Sequence, residues 1–294
     1  MRKSKATIVM LIIFIIGILT LLYPTISNYY NEKSQSKMIY DYENIINSTN
    51  TINFKEVKEQ AINYNNQLSK LYEPLLSYDS LNNYQEVLNI DQKGMMGYLT
   101  IDKLKVELPI YHGTSNEVLN NGVGHLEGSS FPIGGSSTHS VLSAHRGLPS
   151  AKLFSNLDKL AIGDTFKITI LDETLVYQVD KISIVKPNEK DNLEIESNKD
   201  YVTLLTCTPY GINTHRLLVR GIRINEDTKK LYLVTEGFKI NKLIVVPIMT
   251  IPIILLLIIF LLIKPIKKSD NSKYDEFLYP NGKKLICGGR KWKK

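Results

Sequence analysis

Two long apolar segments near the ends of this 294-residue chain constrain its fold more than any other feature. Residues 6–23 and 243–263 are predominantly apolar over 18 and 21 positions, enough for a helix to cross a hydrocarbon layer of about 30 Å. Arg2, Lys3 and Lys5 precede the first segment and no clean small-residue cleavage site follows it, so we interpret it as an uncleaved signal anchor. The second segment is the stronger candidate for a span. Any folded domain is therefore expected between them.

The charge of the chain is concentrated at its two ends, beside these segments. The formal net charge is +7; residues 264–294 hold ten basic and three acidic residues and residues 1–5 hold three basic ones, which leaves residues 6–263 slightly acidic. Basic flanks stay on the cytosolic side of a membrane, so residues 23–242 are expected outside the cell. We expect no nucleic-acid partner, because such a partner needs basic residues on the folded domain. The expected partner of both ends is the lipid bilayer, and the expected location is the cell membrane.

Composition divides the part of the chain between the two segments. Residues 27–88 contain no glycine and repeat apolar residues with a helical period, which predicts one or two amphipathic helices, the second ending at Pro74. This stretch either lifts the folded domain from the bilayer or folds back over a site, and the pattern leaves both open. The predicted order is a cytosolic N terminus with the signal anchor over 1–23, a helical segment over 24–90, the main folded domain over 91–228, a linker over 229–242, a transmembrane helix over 243–263 and a basic cytosolic tail over 264–294.

The sequence pattern of the main folded domain is typical of a β protein. Glycines punctuate runs of β-branched and alternating apolar residues, which predicts seven or eight short strands in a barrel or a sandwich. Pro109 places the second predicted strand at an edge, because proline cannot donate to a sheet ladder. The predicted strands are 97–102, 106–111, 164–170, 175–185, 201–207 and 214–224, together with a strand-like run over 138–144, and the predicted short helices are 117–121 and 151–160.

Cys207 is the only cysteine outside the basic tail, where Cys287 lies. It has no disulfide partner on its own side of the membrane, and it ends an apolar run that favours a strand. An unpaired thiol at a strand end is better explained as a nucleophile than as packing. His145 lies at another strand end and is a candidate acid and base, although a lone histidine is often only a satisfied polar residue.

Arg216 is the second cationic candidate, because its planar fork of donors can hold a carbonyl or a developing oxyanion. It could equally be a strand arginine that reaches to solvent. Strand alternation predicts that Cys207 and Arg216 share one face of a strand pair while His215 points away. Of the other histidines, we expect a structural hydrogen-bonding role for His125 and surface or turn positions for His112 and His139. No short spacing of Cys, His or acidic residues indicates a metal site, and nothing indicates a cofactor.

Three stretches of sequence resemble the sortase family, in its pilin-polymerising class C. Residues 203–221 resemble the extended TLxTC signature with its downstream arginine, and residues 122–129 and 143–147 resemble the segments before and at the catalytic histidine. The resemblance implies a mainly β fold: an eight-stranded sortase β-barrel with short helices, an N-terminal helical segment and two transmembrane helices. It also implies pilus assembly at the cell wall of a Gram-positive bacterium.

The chemistry that the resemblance implies involves His145, Cys207 and Arg216 as the catalytic trio. The thiolate attacks the Thr carbonyl of an LPxTG-like sorting signal, which is cleaved between Thr and Gly through a thioacyl intermediate. A lysine amine of the next pilin subunit then resolves that intermediate. Pilin subunits that carry an LPxTG-like signal are therefore the expected partners.

The family's N-terminal lid is altered in this sequence. Class C sortases generally place an Asp-Pro-aromatic motif in the cleft, whereas the matching tripeptide here is Glu73, Pro74 and Leu75. A glutamate can still pair with Arg216, but a leucine offers no ring to the sulfur. We interpret the tripeptide as a weaker lid.

Alternatives to pilin polymerisation remain open. A sortase that anchors proteins to cell-wall peptide, or a hydrolytic thiol protease, would use the same nucleophile with a different second step. A non-enzymatic, membrane-tethered binding module would have lost the chemistry altogether.

Overall fold

The structure is a computed structural model that describes residues 5–48 and 53–224, with side chains from residue 8 onward. The predicted linker, the predicted second span, the basic tail and Cys287 lie outside the described residues.

Four helices and eight strands make up the described part of the chain. The helices are α1 Lys5–Ser48, α2 Phe54–Leu68, α3 Pro74–Ser77 and α4 Asn116–Asn121. The strands are β1 Met95–Ile101, β2 Val106–His112, β3 Val123–His125, β4 Thr138–Ser143, β5 Thr165–Ile170, β6 Glu173–Val185, β7 Asp200–Thr208 and β8 His215–Ile224.

The eight strands close into a barrel in the order β1-β2-β3-β4-β7-β8-β6-β5. The pairs β2–β3 and β4–β7 are parallel, and the other six are antiparallel. The predicted eight-stranded barrel is thus confirmed. The two parallel pairs interrupt the up-and-down order of the strands. Because β4 and β7 are parallel neighbours, their carboxyl ends lie side by side at one end of the barrel.

Pro109 does not mark an edge strand, so that prediction is wrong. β2 pairs with β1 along its whole length and with β3 through residues 110–112 only. Because β3 has three residues and begins opposite Ile110, no ladder bond on that side requires an N–H from Pro109. The barrel closes without edges, and the proline is accommodated where the neighbouring strand is too short to reach it.

Two helix predictions also differ from the structure. α2 ends at Leu68, and Pro74 begins α3 instead of ending a helix, because proline's missing N–H and fixed φ suit the first helical position. The predicted helix over 151–160 reduces to one 3₁₀ turn, Leu157–Lys159. Its apolar residues pack into the barrel core from loop conformations instead.

Helix α1 runs without interruption from the predicted anchor into the folded domain. Its Ile8–Ser48 portion is the one described helix long and apolar enough to cross a membrane, with a mean hydropathy of 2.6 over its most apolar window. Length and composition of this kind also occur in signal sequences. Its second half packs on β1 and β2, where Tyr42 is 2% exposed, donates to the Met96 carbonyl (2.9 Å) and accepts from the Leu171 N–H (2.9 Å).

A buried aromatic and histidine cluster packs beside β3, where His125 is the register partner of Leu142 in β4. His125 is fully buried, donates from Nε2 to the Ser130 carbonyl (2.8 Å), and receives the Tyr84 hydroxyl at Nδ1 (2.9 Å). Its ring stacks on Phe131 at 5.3 Å between centroids. The geometry agrees with the expected structural role of His125.

His112 and His139 are not surface residues, contrary to the sequence prediction. His112 is 6% exposed and His139 is 1% exposed. In each of them both ring nitrogens are hydrogen-bonded. Isolated histidines carry no periodic signal, so only the assembled sheet reveals their burial.

His125 predicts a loss of stability at acid pH. Burial lowers its pKa from 6.5 to about 4. Between pH 6.5 and pH 4, the imidazole is therefore protonated in the unfolded state and mostly neutral in the folded state. The free energy of unfolding should therefore be fully retained above pH 6.5 and fall by about 3 kcal/mol by pH 4 from this group. Urea unfolding at a series of pH values measures the slope.

The variant His125→Gln removes this titration and should flatten the slope between pH 6.5 and 4. His215→Gln is the matched control, because His215 lies outside the core at the start of β8, and it should keep the wild-type slope. Equal slopes for all three proteins would contradict the assignment.

Candidate active site

The parallel pairing of β4 with β7 brings His145 and Cys207 to the same end of the barrel. Ser143 is the register partner of Leu205, and the ladder continues where the Ala144 N–H donates to the Leu205 carbonyl (3.2 Å). His145 and Cys207 each lie two residues beyond this pair, so they occupy equivalent positions at neighbouring strand ends. Strand spacing of about 4.8 Å and a period of two place both side chains on one face.

The antiparallel pairing of β7 with β8 brings Arg216 to the same place. Cys207 and Arg216 are directly opposite register partners, and Thr208 is the partner of His215. Directly opposite residues project to the same face, whereas His215 projects to the other. The alternation predicted from sequence therefore holds. The loop that connects the two strands has six residues, 209–214.

The thiol of Cys207 is free and half-buried. Arg216 is also half-buried, and its guanidinium donates from one nitrogen to the carbonyls of Asn213 (3.3 Å) and His215 (3.2 Å). These two bonds hold one terminal nitrogen of the guanidinium against the loop. The remaining N–H donors of Arg216 are left for other partners. The arrangement sets a fixed positive charge beside a sulfur nucleophile.

His145 is half-buried at the start of a loop that returns to the barrel. Its carbonyl accepts the Phe154 N–H (3.1 Å), and Phe154 is 1% exposed in the core. Partial burial lowers the pKa of the His145 imidazole. A neutral imidazole is thus favoured at neutral pH, and it can accept a proton from a neighbouring thiol.

Arg146 joins the loop that carries His145 to the end of β7, which carries Cys207. Its guanidinium pairs with Asp158 (2.7 Å), donates to the Thr208 hydroxyl (3.2 Å) and lies 5.8 Å from the centre of the Tyr210 ring. The Arg146 side chain is only 7% exposed, whereas that of Asp158 is 48% exposed, so a covered guanidinium meets partners that lie at the protein surface. We call Arg146, Asp158, Thr208 and Tyr210 the loop clamp.

The loop clamp was not found from the sequence. Arg146 stands directly after His145 in the stretch 143–147, and this position is the one signal that could have pointed to it. Its partners Asp158 and Thr208 are 12 and 62 residues away, a separation that no local pattern encodes.

The tripeptide Glu73-Pro74-Leu75 lies over the barrel on the face that carries Cys207. Leu75 and Leu205 both pack against a buried cluster that includes Leu218. Leu205 precedes Cys207 and Leu218 follows Arg216 by two residues, on the same faces of their strands. Gly128, with φ +83°, permits the close approach, since a Cβ there would lie 2.8 Å from the Cα of Leu75.

Glu73 is exposed and adopts a left-handed backbone conformation with φ 50°. No ion pair within 4 Å joins it to Arg216 among the residues that the structure describes. The pairing proposed from the sequence is therefore not formed in this conformation.

No group of three or more His, Cys, Asp or Glu side chains within residues 5–48 and 53–224 has the arrangement of a metal site. The titratable groups near Cys207 are His145 and the cations Arg146 and Arg216. The chemistry available in this part of the molecule is that of a thiol, an imidazole and guanidinium donors.

Comparison with known proteins identifies a close set of relatives. The family model described as sortase domain matches residues 99–224. Sortase D of Bacillus subtilis is 30% identical over 131 residues, which cover 44% of this chain and 63% of the relative, so the chain spans less than two thirds of that protein.

Solved structures match over a longer stretch. Sortase C1 of Streptococcus agalactiae is 48% identical, with a TM-score of 0.59, over 64% of this chain and 98% of that one. Sortase C of Streptococcus pneumoniae, described for its catalysis and its pilin substrate specificity, is 42% identical, with a TM-score of 0.57, over 64% and 97%.

The loop clamp predicts that Arg146 positions the site without reacting itself. Arg146→Ala should slow alkylation of Cys207 by iodoacetamide at pH 7 about tenfold and change the shape of its pH profile, because the His145 loop is no longer fixed beside the thiol. Arg146→Lys keeps the charge that faces Asp158 and should recover part of the rate. Stopped-time mass spectrometry measures the alkylation.

Lys167→Ala is the matched control, because it removes an ion pair with Asp102 (2.7 Å) on another wall of the barrel. It should leave both the rate and the pH profile unchanged. An Arg146→Ala protein that is folded and alkylated with the wild-type profile would show that the clamp has no role in positioning.

Proposed function

The chain belongs to the sortase family of cysteine transpeptidases, in class C, and we propose that it polymerises pilin subunits at the cell surface. In this proposal Cys207, His145 and Arg216 are the catalytic residues. The single observation that carries it is the strand register, which sets the Cys207 thiol directly opposite Arg216 and level with His145.

The first half of the proposed reaction forms a thioester. His145 takes the thiol proton, and the Cys207 thiolate attacks the Thr carbonyl of an LPxTG-like sorting signal. Arg216 donates to the oxyanion that develops on that carbonyl. When the tetrahedral intermediate collapses, the C–N bond to Gly breaks and the His145 imidazolium protonates the leaving amine. The acyl group stays on sulfur.

The second half transfers the acyl group to an amine. A pilin lysine amine attacks the thioester carbonyl, Arg216 again faces the oxyanion, and neutral His145 accepts the amine proton. The C–S bond breaks and the thiolate leaves, and the His145 imidazolium then returns its proton to the Cys207 thiolate, which restores the thiol and the neutral imidazole. The lowered pKa of His145 supports this cycle, because its neutral form is needed to begin each half.

The pilin substrate is supported by the relatives in class C, one of which is described for its pilin substrate specificity. Anchoring to cell-wall peptide or plain hydrolysis would share the first half and differ only in the acceptor. The acceptor therefore decides between these alternatives.

The proposed location is the cell membrane, with the catalytic domain outside. The apolar N-terminal part of α1, with basic residues before it, supports one span. The second predicted span, residues 243–263, supports a two-span topology by composition and charge alone.

We further propose that Glu73, Pro74 and Leu75 form a lid. The packing of Leu75 against the buried cluster that contains Leu218, and the close approach of its backbone to Gly128, support a closed position over the cleft. Because Leu75 remains half-buried and Glu73 makes no pair with Arg216 in the described residues, the lid is held mainly by one apolar side chain.

Replacing the proposed nucleophile should separate enzyme from binding module. Cys207→Ala should abolish cleavage of a sorting-signal peptide and leave the thermal unfolding midpoint nearly unchanged, because a half-buried sulfur contributes little packing. Arg216→Lys should lower kcat about 100-fold through loss of the oxyanion donor. Mass spectrometry of the products measures both, and cleavage by Cys207→Ala would contradict the proposal.

The acceptor tests transfer against hydrolysis. A pilin fragment that carries the acceptor lysine should convert the product from free acid to amide as its concentration rises. A product distribution that the amine leaves unchanged would exclude transpeptidation.

Opening the proposed lid should expose the thiol. The double variant Glu73→Ala with Leu75→Ala should be alkylated at Cys207 faster than wild type, by about threefold to tenfold if loss of the Leu75 contacts costs about 1 kcal/mol. Tyr72→Ala is the matched control, since Tyr72 is 86% exposed beside the lid. Unchanged labelling kinetics in the double variant would remove the lid from the proposal.

A further inference from the structure

Helix α1 connects the proposed membrane span to the active-site end of the barrel. It is continuous from Lys5 to Ser48 and passes through Pro24 without a break. Its later residues, including Tyr42, pack on the barrel end opposite Cys207, while its earlier residues reach the end that carries Cys207. The barrel is therefore held with its active-site end toward the N-terminal part of α1.

Two hydrogen bonds fix where along α1 this end lies. Asn28 accepts the Lys152 N–H at its Oδ1 (2.7 Å), and Asn31 donates from Nδ2 to the Ser150 carbonyl (2.8 Å). Both partners belong to the loop between His145 and Phe154. The same loop contacts the β7–β8 connection, since a Cβ on Gly147 would lie 3.3 Å from the Tyr210 ring.

The distance of these contacts from the hydrocarbon layer follows from helix geometry. A hydrocarbon layer of about 30 Å takes about 20 helical residues at 1.5 Å each, so a span that begins at Ala6 ends near Thr25. Asn28 and Asn31 then lie about 5–9 Å beyond the hydrocarbon. The interfacial layer on each side of a bilayer is about 5–8 Å thick, so the loop after His145 lies at the outer edge of the headgroups.

The exposed side chains at this level suit an interface. On α1, Tyr23, Tyr29 and Tyr30 are more than half exposed, and tyrosine is enriched where a membrane meets water. On the barrel, Tyr210 and Ile212 are 60% and 67% exposed in the loop that follows Cys207. Large exposed side chains thus lie both on α1 and on the loop that follows Cys207.

We propose that α1 is a ruler that holds the active site at the outer headgroup layer, so that the enzyme selects sorting signals immediately outside the membrane. For a substrate whose own apolar span is still in the bilayer, the height of the active site then sets the distance at which its sorting signal can be reached. Sorting signals a few extended residues from their span are in reach, and those set farther out are disfavoured. This proposal rests on the proposed function and adds a rule for the spacing between signal and span.

The first test varies the substrate. Full-length wild-type enzyme in liposomes is given membrane-anchored substrates in which zero, three, six or nine residues separate the sorting signal from the span. Each extended residue adds about 3.3 Å, so the rate should fall at least tenfold as the separation grows by about 20–30 Å. A rate independent of spacing would overturn the proposal.

The second test moves the site. A polar, helix-forming insert of seven residues between Thr25 and Ile26 adds about 10 Å and nearly two full turns. The barrel, with its contacts to Asn28 and Asn31, then moves outward as a unit and keeps nearly the same rotation relative to the span. The best spacing should shift outward by three residues. A matched insert of seven Gly and Ser residues should broaden the preference, because a flexible segment fixes no height.

A soluble sorting-signal peptide separates the two levels of proposal. All three enzymes should cleave it at the same rate, because it needs no bilayer. If wild type fails to cleave it, the proposed function is wrong. If wild type cleaves it and the helical insert retains the wild-type spacing preference in liposomes, the ruler is wrong while the function stands.

Discussion

The parallel pairing of β4 with β7 is the interaction on which the site depends. Its ladder sets Ser143 beside Leu205 and continues through the bond from the Ala144 N–H, so two residues separated by 62 positions end on neighbouring strands. One residue of slip would turn either side chain to the opposite face. The thiol and the imidazole can therefore meet only in this register.

Buried polar contacts specify that register. His139 of β4 donates from Nδ1 to the Glu194 carbonyl (2.7 Å) and accepts the Thr203 hydroxyl of β7 at Nε2 (2.7 Å). Nearer the site, the Thr206 hydroxyl donates to the Ala144 carbonyl (2.7 Å). A shifted pairing would leave these buried groups unsatisfied, which costs about 1–3 kcal/mol for each group. Apolar packing alone would tolerate such a shift more easily.

Local pattern accounts for most strands and for the facing of Cys207 and Arg216, because alternation is a property of neighbouring residues. It does not account for β3, whose three residues Val123–His125 are too few to show a period. The burial of His139, the tolerance of Pro109 beside that short strand and the loop clamp of Arg146 are set by contacts between distant parts of the chain. The catalytic roles came from resemblance, whereas their shared position came from the sheet.

The proposed lid and the loop clamp differ in how firmly they hold the two sides of the cleft. Arg146 combines an ion pair, a hydroxyl contact and a ring around one covered guanidinium, so the loop that carries His145 is fixed. α3 has four residues, too few to be stable alone, and it depends on the packing of Leu75 against the buried cluster that contains Leu218. Burial of one such side chain is worth about 1–2 kcal/mol. In the proposed reaction, a sorting signal that buries an apolar side chain in the same place offsets this energy. The cleft can thus open to its peptide while the proposed acid and nucleophile stay in register.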